Sequence, residues 1–276
     1  MAGANDRWWN DPELWIEIFA LLNISFLALD IYLAHSANQF RARAEYIPLL
    51  YSLIAPPILV VALTQRKKRR LVWKSLGHLV GVTAILVGLA GMVLHLDSHF
   101  FYERTIRSLT YSAPFAAPLA YTGLGCLLVM NRMVNAESAE WAHWILLFAL
   151  GGFFGNFIFS LADHAANGFF FAVEWTPVFA SALAIGFLCI PVFMRVSTLF
   201  INVCFGVLLL EGVVGVWGFA LHTIGNLRGP STHAYDNFIF GAPAIAPLLF
   251  PNLMLLGLIG LWQLRNTEYR QGTLPA

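Results

Sequence analysis

His35-Ser36-Ala37-Asn38-Gln39-Phe40, with Glu45 and Pro48 following, returns later in the chain as His164-Ala165-Ala166-Asn167-Gly168-Phe169, with Glu174 and Pro177. The intervals agree throughout: three residues from His to Asn, five to Phe, ten to Glu and thirteen to Pro. A second motif interleaves with the first. Gly88, Gly91, Leu94 and His95 return as Gly215, Gly218, Leu221 and His222, and Ala113-Pro114-x-x-Ala117-Pro118 returns as Ala242-Pro243-x-x-Ala246-Pro247. The order A, B, A, B describes two tandem halves, residues 1–135 and 136–276, within one membrane domain.

Composition says what surrounds these motifs. Apolar residues make up 59% of the chain and charged residues 11%, about half the charged share of a soluble domain. Several apolar stretches approach the length of about 20 residues that a helix needs to cross a bilayer core. Hydrophobicity predicts eight spans, at 13–34, 47–65, 73–94, 111–131, 141–163, 176–194, 198–221 and 241–264. Asp11 and Pro12 suit the start of the first, as N-cap and first helical residue. The opening residues carry Asp6, Arg7 and Asp11, unlike a cleavable signal peptide. The net charge of +1 points away from nucleic acid, leaving the lipid bilayer and other membrane subunits as the expected partners. Cys126, Cys189 and Cys204 are isolated in apolar segments and read as inert thiols.

Basic residues set the orientation. Arg66-Lys67-Lys68-Arg69-Arg70, Arg132, Arg195 and Arg265 follow even-numbered spans, and with Arg7, Lys74 and Arg270 they place 11 of the 16 Lys and Arg on one side. The positive-inside rule makes that side cytoplasmic. The predicted fold is therefore an all-α integral membrane bundle: eight transmembrane helices as two tandem parallel four-helix repeats, both termini cytoplasmic, in the plasma (inner) membrane. Parallel repeats of this kind are related by an axis along the membrane normal.

That orientation puts His35, His95, His99, His164, His222 and His233 at the outer ends of odd spans. Imidazole is the commonest transition-metal ligand and a usual axial ligand of haem iron. His35, His95, His164 and His222 are thus the candidate ligands of a haem or a transition metal (Cu, Fe or Zn), as two bis-histidine pairs or one histidine-rich site, converging across the two halves near the outer face. Glu45 and Glu174 are candidate metal ligands, or partners that fix an imidazole tautomer. The plainer reading makes each histidine a cap on the carbonyl end of its helix.

Gly88 and Gly91 lie seven and four residues before His95, on the same helix face. With Gly215 and Gly218 below His222, they form smooth strips suited to a flat tetrapyrrole or to a closely packed helix. Gly91 and Gly218 are accordingly candidate cofactor contacts. Within the spans, Glu211 is the carboxylate nearest mid-membrane and a proton-relay candidate, Ala84 taking its place in the first half; Asn23 and Asn156 are also intramembrane. Asp163 adjoins His164. The Ala-Pro-x-x-Ala-Pro pairs should kink spans 4 and 8.

The sequence carries no phosphate-cradling loop, Cys-x-x-Cys-His attachment or His-Glu-x-x-His motif, and it names no catalytic residue. The leading expectation is a membrane subunit whose repeat-related histidines hold a haem or metal centre, for electron transfer or oxidative chemistry in a larger complex. A transporter or channel with two pseudo-symmetric halves, and a non-catalytic scaffold subunit, are the alternatives.

Overall fold

The computed structural model describes residues 10–271, with side chains described to residue 267. Among these residues the regular structure is helical throughout. Seven helical segments are long and apolar enough to cross a membrane: Pro12–Ser36, Arg43–Gln65, Arg70–Asp97, Ala139–Ala166, Ala172–Phe193, Thr198–Leu227 and Ala246–Thr267. The chain is an all-helical protein with the character of a multi-pass membrane protein. Leu22, Leu50, Leu86, Phe179, Leu209 and Val213 are exposed along these helices, as expected where lipid rather than water covers the outer faces.

Long helices α1 (Pro12–Ser36), α2 (Tyr46–Gln65) and α3 (Arg70–Asp97) lead to two short ones, α4 (Phe100–Glu103) and α5 (Ile106–Tyr111), and then to α6 (Leu119–Met133). The second half runs through α7 (Ala139–Ala166), α8 (Thr176–Phe193) and α9 (Thr198–Leu227), the short α10 (Ala234–Phe240), and α11 (Leu249–Gln271). In the first half α1 meets α2, α2 meets α3, α3 meets α6 and α6 meets α1. The second half closes likewise through α7, α8, α9 and α11. In each ring the first and third long helices lie diagonally opposite.

Helix starts follow their caps. Asp11 accepts from the Leu14 N–H, Ser138 from Trp141 and Ser197 from Phe200. The proline motifs depart from the sequence reading. Span 4 was expected from residue 111, but α6 begins only at Leu119 and has 15 residues. Pro114 and Pro118 lack the N–H groups that would extend it backward, so the Ala113–Pro118 motif forms turns ahead of the helix instead of kinking it. Its second copy likewise precedes α11, as turns and a short 3₁₀ helix, Ala246–Leu248. By contrast Pro56 and Pro57 do lie inside α2.

The halves meet through α6 with α7 and α1 with α11, where Asn252 donates to Asn23 and the Trp141 indole donates to Asn131 at 3.1 Å. The short helices cross over: α5 lies against α7 of the other half, and α10 against α1, with Tyr32 and Tyr235 hydroxyls 3.2 Å apart.

At the end away from the repeated histidines, Arg66 bridges Asp11 and Glu13. Deeper, fully buried Arg132 and Glu17 pair at 2.8 Å, with Asn131 donating to the other Glu17 oxygen at 2.9 Å. The Arg132 guanidinium also lies 4.7 Å from the Trp73 ring centre. Glu17, Asn131 and Arg132 thus satisfy one another, as a buried charge requires.

Candidate functional site

The repeated His-to-Phe spacing has a backbone cause. Helix α1 ends with Gln39 and Phe40 in the left-handed region (φ 60° and 50°), and α7 with Gly168 and Phe169 (φ 71° and 50°). The Phe40 N–H closes onto the His35 carbonyl at 3.1 Å and the Phe169 N–H onto that of His164 at 3.0 Å. This closure satisfies a carbonyl at the helix end. Left-handed backbone is unfavourable for a phenylalanine, so its presence at both positions marks a geometry that the surroundings enforce.

Ring packing helps to enforce it. Phe40 stacks on Tyr46 with centroids 4.8 Å apart, and Phe169 on Trp175 at 3.9 Å. Both phenylalanines also touch the histidine five residues earlier, at 5.8 Å and 6.1 Å between centroids. The reversal brings the glutamate ten residues on back to the same imidazole. His35 Nδ1 is 3.4 Å from Glu45 Oε2, and His164 Nδ1 is 3.8 Å from Glu174 Oε2. These four side chains are all less than a fifth exposed. The other Glu45 oxygen is held by Asn38 Nδ2 at 3.1 Å and the Ala42 N–H at 3.2 Å.

The second histidine of each half comes from the diagonal helix. His95 in the last turn of α3 has its Nδ1 2.9 Å from the Pro114 carbonyl, and His222, five residues before the end of α9, has its Nδ1 3.0 Å from the Pro243 carbonyl. A carbonyl can only accept, so Nδ1 is the donor in both rings, which in the neutral imidazole leaves the lone pair on Nε2. The proline motif therefore orients the imidazole, a role its sequence alone did not suggest.

The rings pair within halves: His35 with His95 at 6.1 Å between centroids and an interplanar angle of 70°, His164 with His222 at 6.4 Å and 81°. The four histidines thus fall into two like pairs, one at the same end of each ring of helices. Glu45 and Glu174 sit on the Nδ1 side of their partners, which suits them to holding the ring. Among the described residues no three His, Cys, Asp or Glu side chains come close enough to enclose a metal by themselves. Asp163, whose place in the first half is taken by Ala34, lies within electrostatic range of both His164 and His222.

The glycine strips are occupied by protein. Gly88 faces Thr122 and the Pro118 carbonyl, and Gly91 faces the Pro118 ring. Gly215 faces Pro247, Phe250 and Pro251, and Gly218 the Pro247 ring. These small residues let α6 and α11 approach closely, and the facing helix fills the space a tetrapyrrole would need on that face.

Glu211 is fully buried, with neither carboxylate oxygen hydrogen-bonded. Compared with known proteins, the chain matches no family model, and no curated protein or solved structure shows significant similarity to it.

Proposed function

We propose that this chain is a multi-pass membrane subunit that binds two transition-metal centres, one at each histidine pair, and passes electrons or supports oxidative chemistry near the outer membrane face. His35 and His95 are the ligands of one centre, His164 and His222 of the other. In this reading α6 is the eighth span, the two rings are parallel four-helix repeats, and both termini face the cytoplasm of a cell whose plasma membrane holds the protein among other subunits.

One observation carries the proposal. In both halves one imidazole is held through Nδ1 by a proline carbonyl, which in the neutral ring leaves Nε2 as the ligand, and the Nδ1 of its partner ring faces a glutamate oxygen 3.4 Å or 3.8 Å away. Such partners commonly orient metal-binding histidines and raise their basicity. The two rings of each pair are also close, with centroids 6.1 Å and 6.4 Å apart, so that one ion could be shared between them. The remaining coordination positions are left to water, substrate or the ring of a haem. Imidazole suits copper, iron and zinc alike.

Metal analysis and a visible spectrum of the purified protein test this. Two equivalents of copper, iron or zinc per chain are expected, with haem separated from a bare ion by intense visible absorption. His95→Ala and His222→Ala should each remove one equivalent and the double variant both. A protein that holds none of these metals as isolated, and takes none up when supplied, would overturn the proposal.

A further inference from the structure

The second ring of helices encloses three polar side chains with unused hydrogen-bonding atoms. Glu211 in α9 and Ser181 in α8 are 0% exposed and Asn156 in α7 is 5% exposed. Both Glu211 oxygens, Ser181 Oγ and Asn156 Nδ2 lack a protein partner. Each such group left dry carries a desolvation cost, and the three come from three successive helices.

They also lie at nearly one depth. Cys204 Sγ in α9 donates to the Phe187 carbonyl in α8 at 3.6 Å, which sets the register of the two antiparallel helices. Counting seven residues along α9 and six back along α8 brings Glu211 level with Ser181, to within about one residue's rise of 1.5 Å. The His164–His222 pair sets α7 against α9 in the same way. Asn156 is eight residues below its histidine and Glu211 eleven, a difference of about one helical turn. Ser160, also buried, stands one turn nearer the histidines on the same face of α7.

No charged group is at hand to balance Glu211. Helix α8 contains no Asp, Glu, His, Lys or Arg. The stretches 144–162 of α7 and 249–264 of α11 contain none either, and Glu211 is alone in α9 below His222. A carboxylate so placed is stable only if it holds a proton or is hydrated. The available donors and acceptors match internal water, which bridges groups of this kind with two to four hydrogen bonds.

We propose that Glu211, Ser181 and Asn156 form a water-linked proton site inside the second ring, connected past Ser160 to the His164–Glu174 end. A hydronium ion at the histidine end gives up its proton along the waters, one O–H bond breaking at each donor as one forms at the next acceptor and the last on a Glu211 oxygen, and the reverse steps return it. The site stands apart from the metal reading, because its test does not read metal content.

Infrared difference spectroscopy of the full chain in lipid nanodiscs supplies the test. The wild type should show a protonated carboxyl C=O band that vanishes in Glu211→Gln and shifts in Ser181→Ala and Asn156→Ala. Ser160→Val should slow deuterium exchange of that band several-fold, while Ser52→Ala in the first ring leaves it unchanged. Should Glu211→Gln fail to fold, the two serine variants, each losing one hydroxyl, carry the test. A band indifferent to Ser181→Ala and Asn156→Ala, exchange unaltered in Ser160→Val, or no protonated band at any pH where the fold persists would overturn the proposal.

Discussion

Tyr121 and Phe250 hold matching places in the two rings of helices, three residues beyond Pro118 and Pro247, and differ by one hydroxyl. In the first ring that hydroxyl bonds to Ser52 and donates to the Pro48 carbonyl at 3.0 Å. In the second, the ring of Phe250 packs on Phe153, and Ser181, the counterpart of Ser52, has no partner. Ala84, Leu27 and Ile31 of the first half stand where the second has Glu211, Asn156 and Ser160. At the opposite end the bias reverses. Glu17, Asn131 and Arg132 of the first half correspond to Leu146, Gly260 and Leu261, and a side chain at Gly260 would meet Leu146. The histidine pairs stayed alike while the polar interiors moved to different depths. The two rings thus share the geometry of the pairs and differ in the polar side chains beneath them.

Exchanging residues between halves sharpens this contrast. The largest effect should come from Arg132→Leu, which strands Glu17 and should cost about 3–5 kcal/mol. The double variant Glu17→Leu/Arg132→Leu copies the second half and should recover most of that loss, as thermal unfolding in detergent would show. Next, Glu45→Gln and Glu174→Gln should each weaken metal binding about 10–100-fold, and only at their own pair, as measured by chelator competition. Phe250→Tyr, copying Tyr121, should stabilise the chain by about 1 kcal/mol, and Tyr121→Phe should lose a similar amount. Equal responses in the two rings would break the contrast.

The smallest effect concerns the clamp at Asp11. Burial pushes its carboxyl upward, but hydrogen bonds from Arg66 and the Leu14 N–H, together with the charges of Arg66 and Lys67, hold it below the ordinary 3.8. A depressed carboxylate stabilises the fold above its unfolded value and loses that contribution as pH falls through the folded value. For this partly exposed group the loss should stay below about 1 kcal/mol. Arg66→Leu should flatten the acid limb of a Tm-against-pH curve.

Long apolar stretches declared the helices, because lipid-facing segments must be apolar whatever they pack against. Interval matching likewise found His35, His95, Glu45 and their second copies. Pairing within a half was not legible, since it depends on which helices lie diagonally opposite. Nor was the role of Pro114 and Pro243, because a carbonyl acceptor carries no side-chain signature. The left-handed Phe40 and Phe169 were visible only as a shared interval; Gly168 preceding Phe169 was the one local hint of a positive φ. Glu211 stood out as an ionisable residue in an apolar stretch, whereas its level with Ser181 needed the register fixed by Cys204.

The crossing of α5 onto α7 and of α10 onto α1 has a consequence for how such a molecule can be built. A chain containing a single half would have to hand its short helix to another copy and receive one in return, so it would be complete only as a pair. Joining the halves keeps that exchange inside one polypeptide and frees each copy to change separately. Residues 1–135 and 136–276 supplied as separate chains should accordingly recognise each other in preference to themselves.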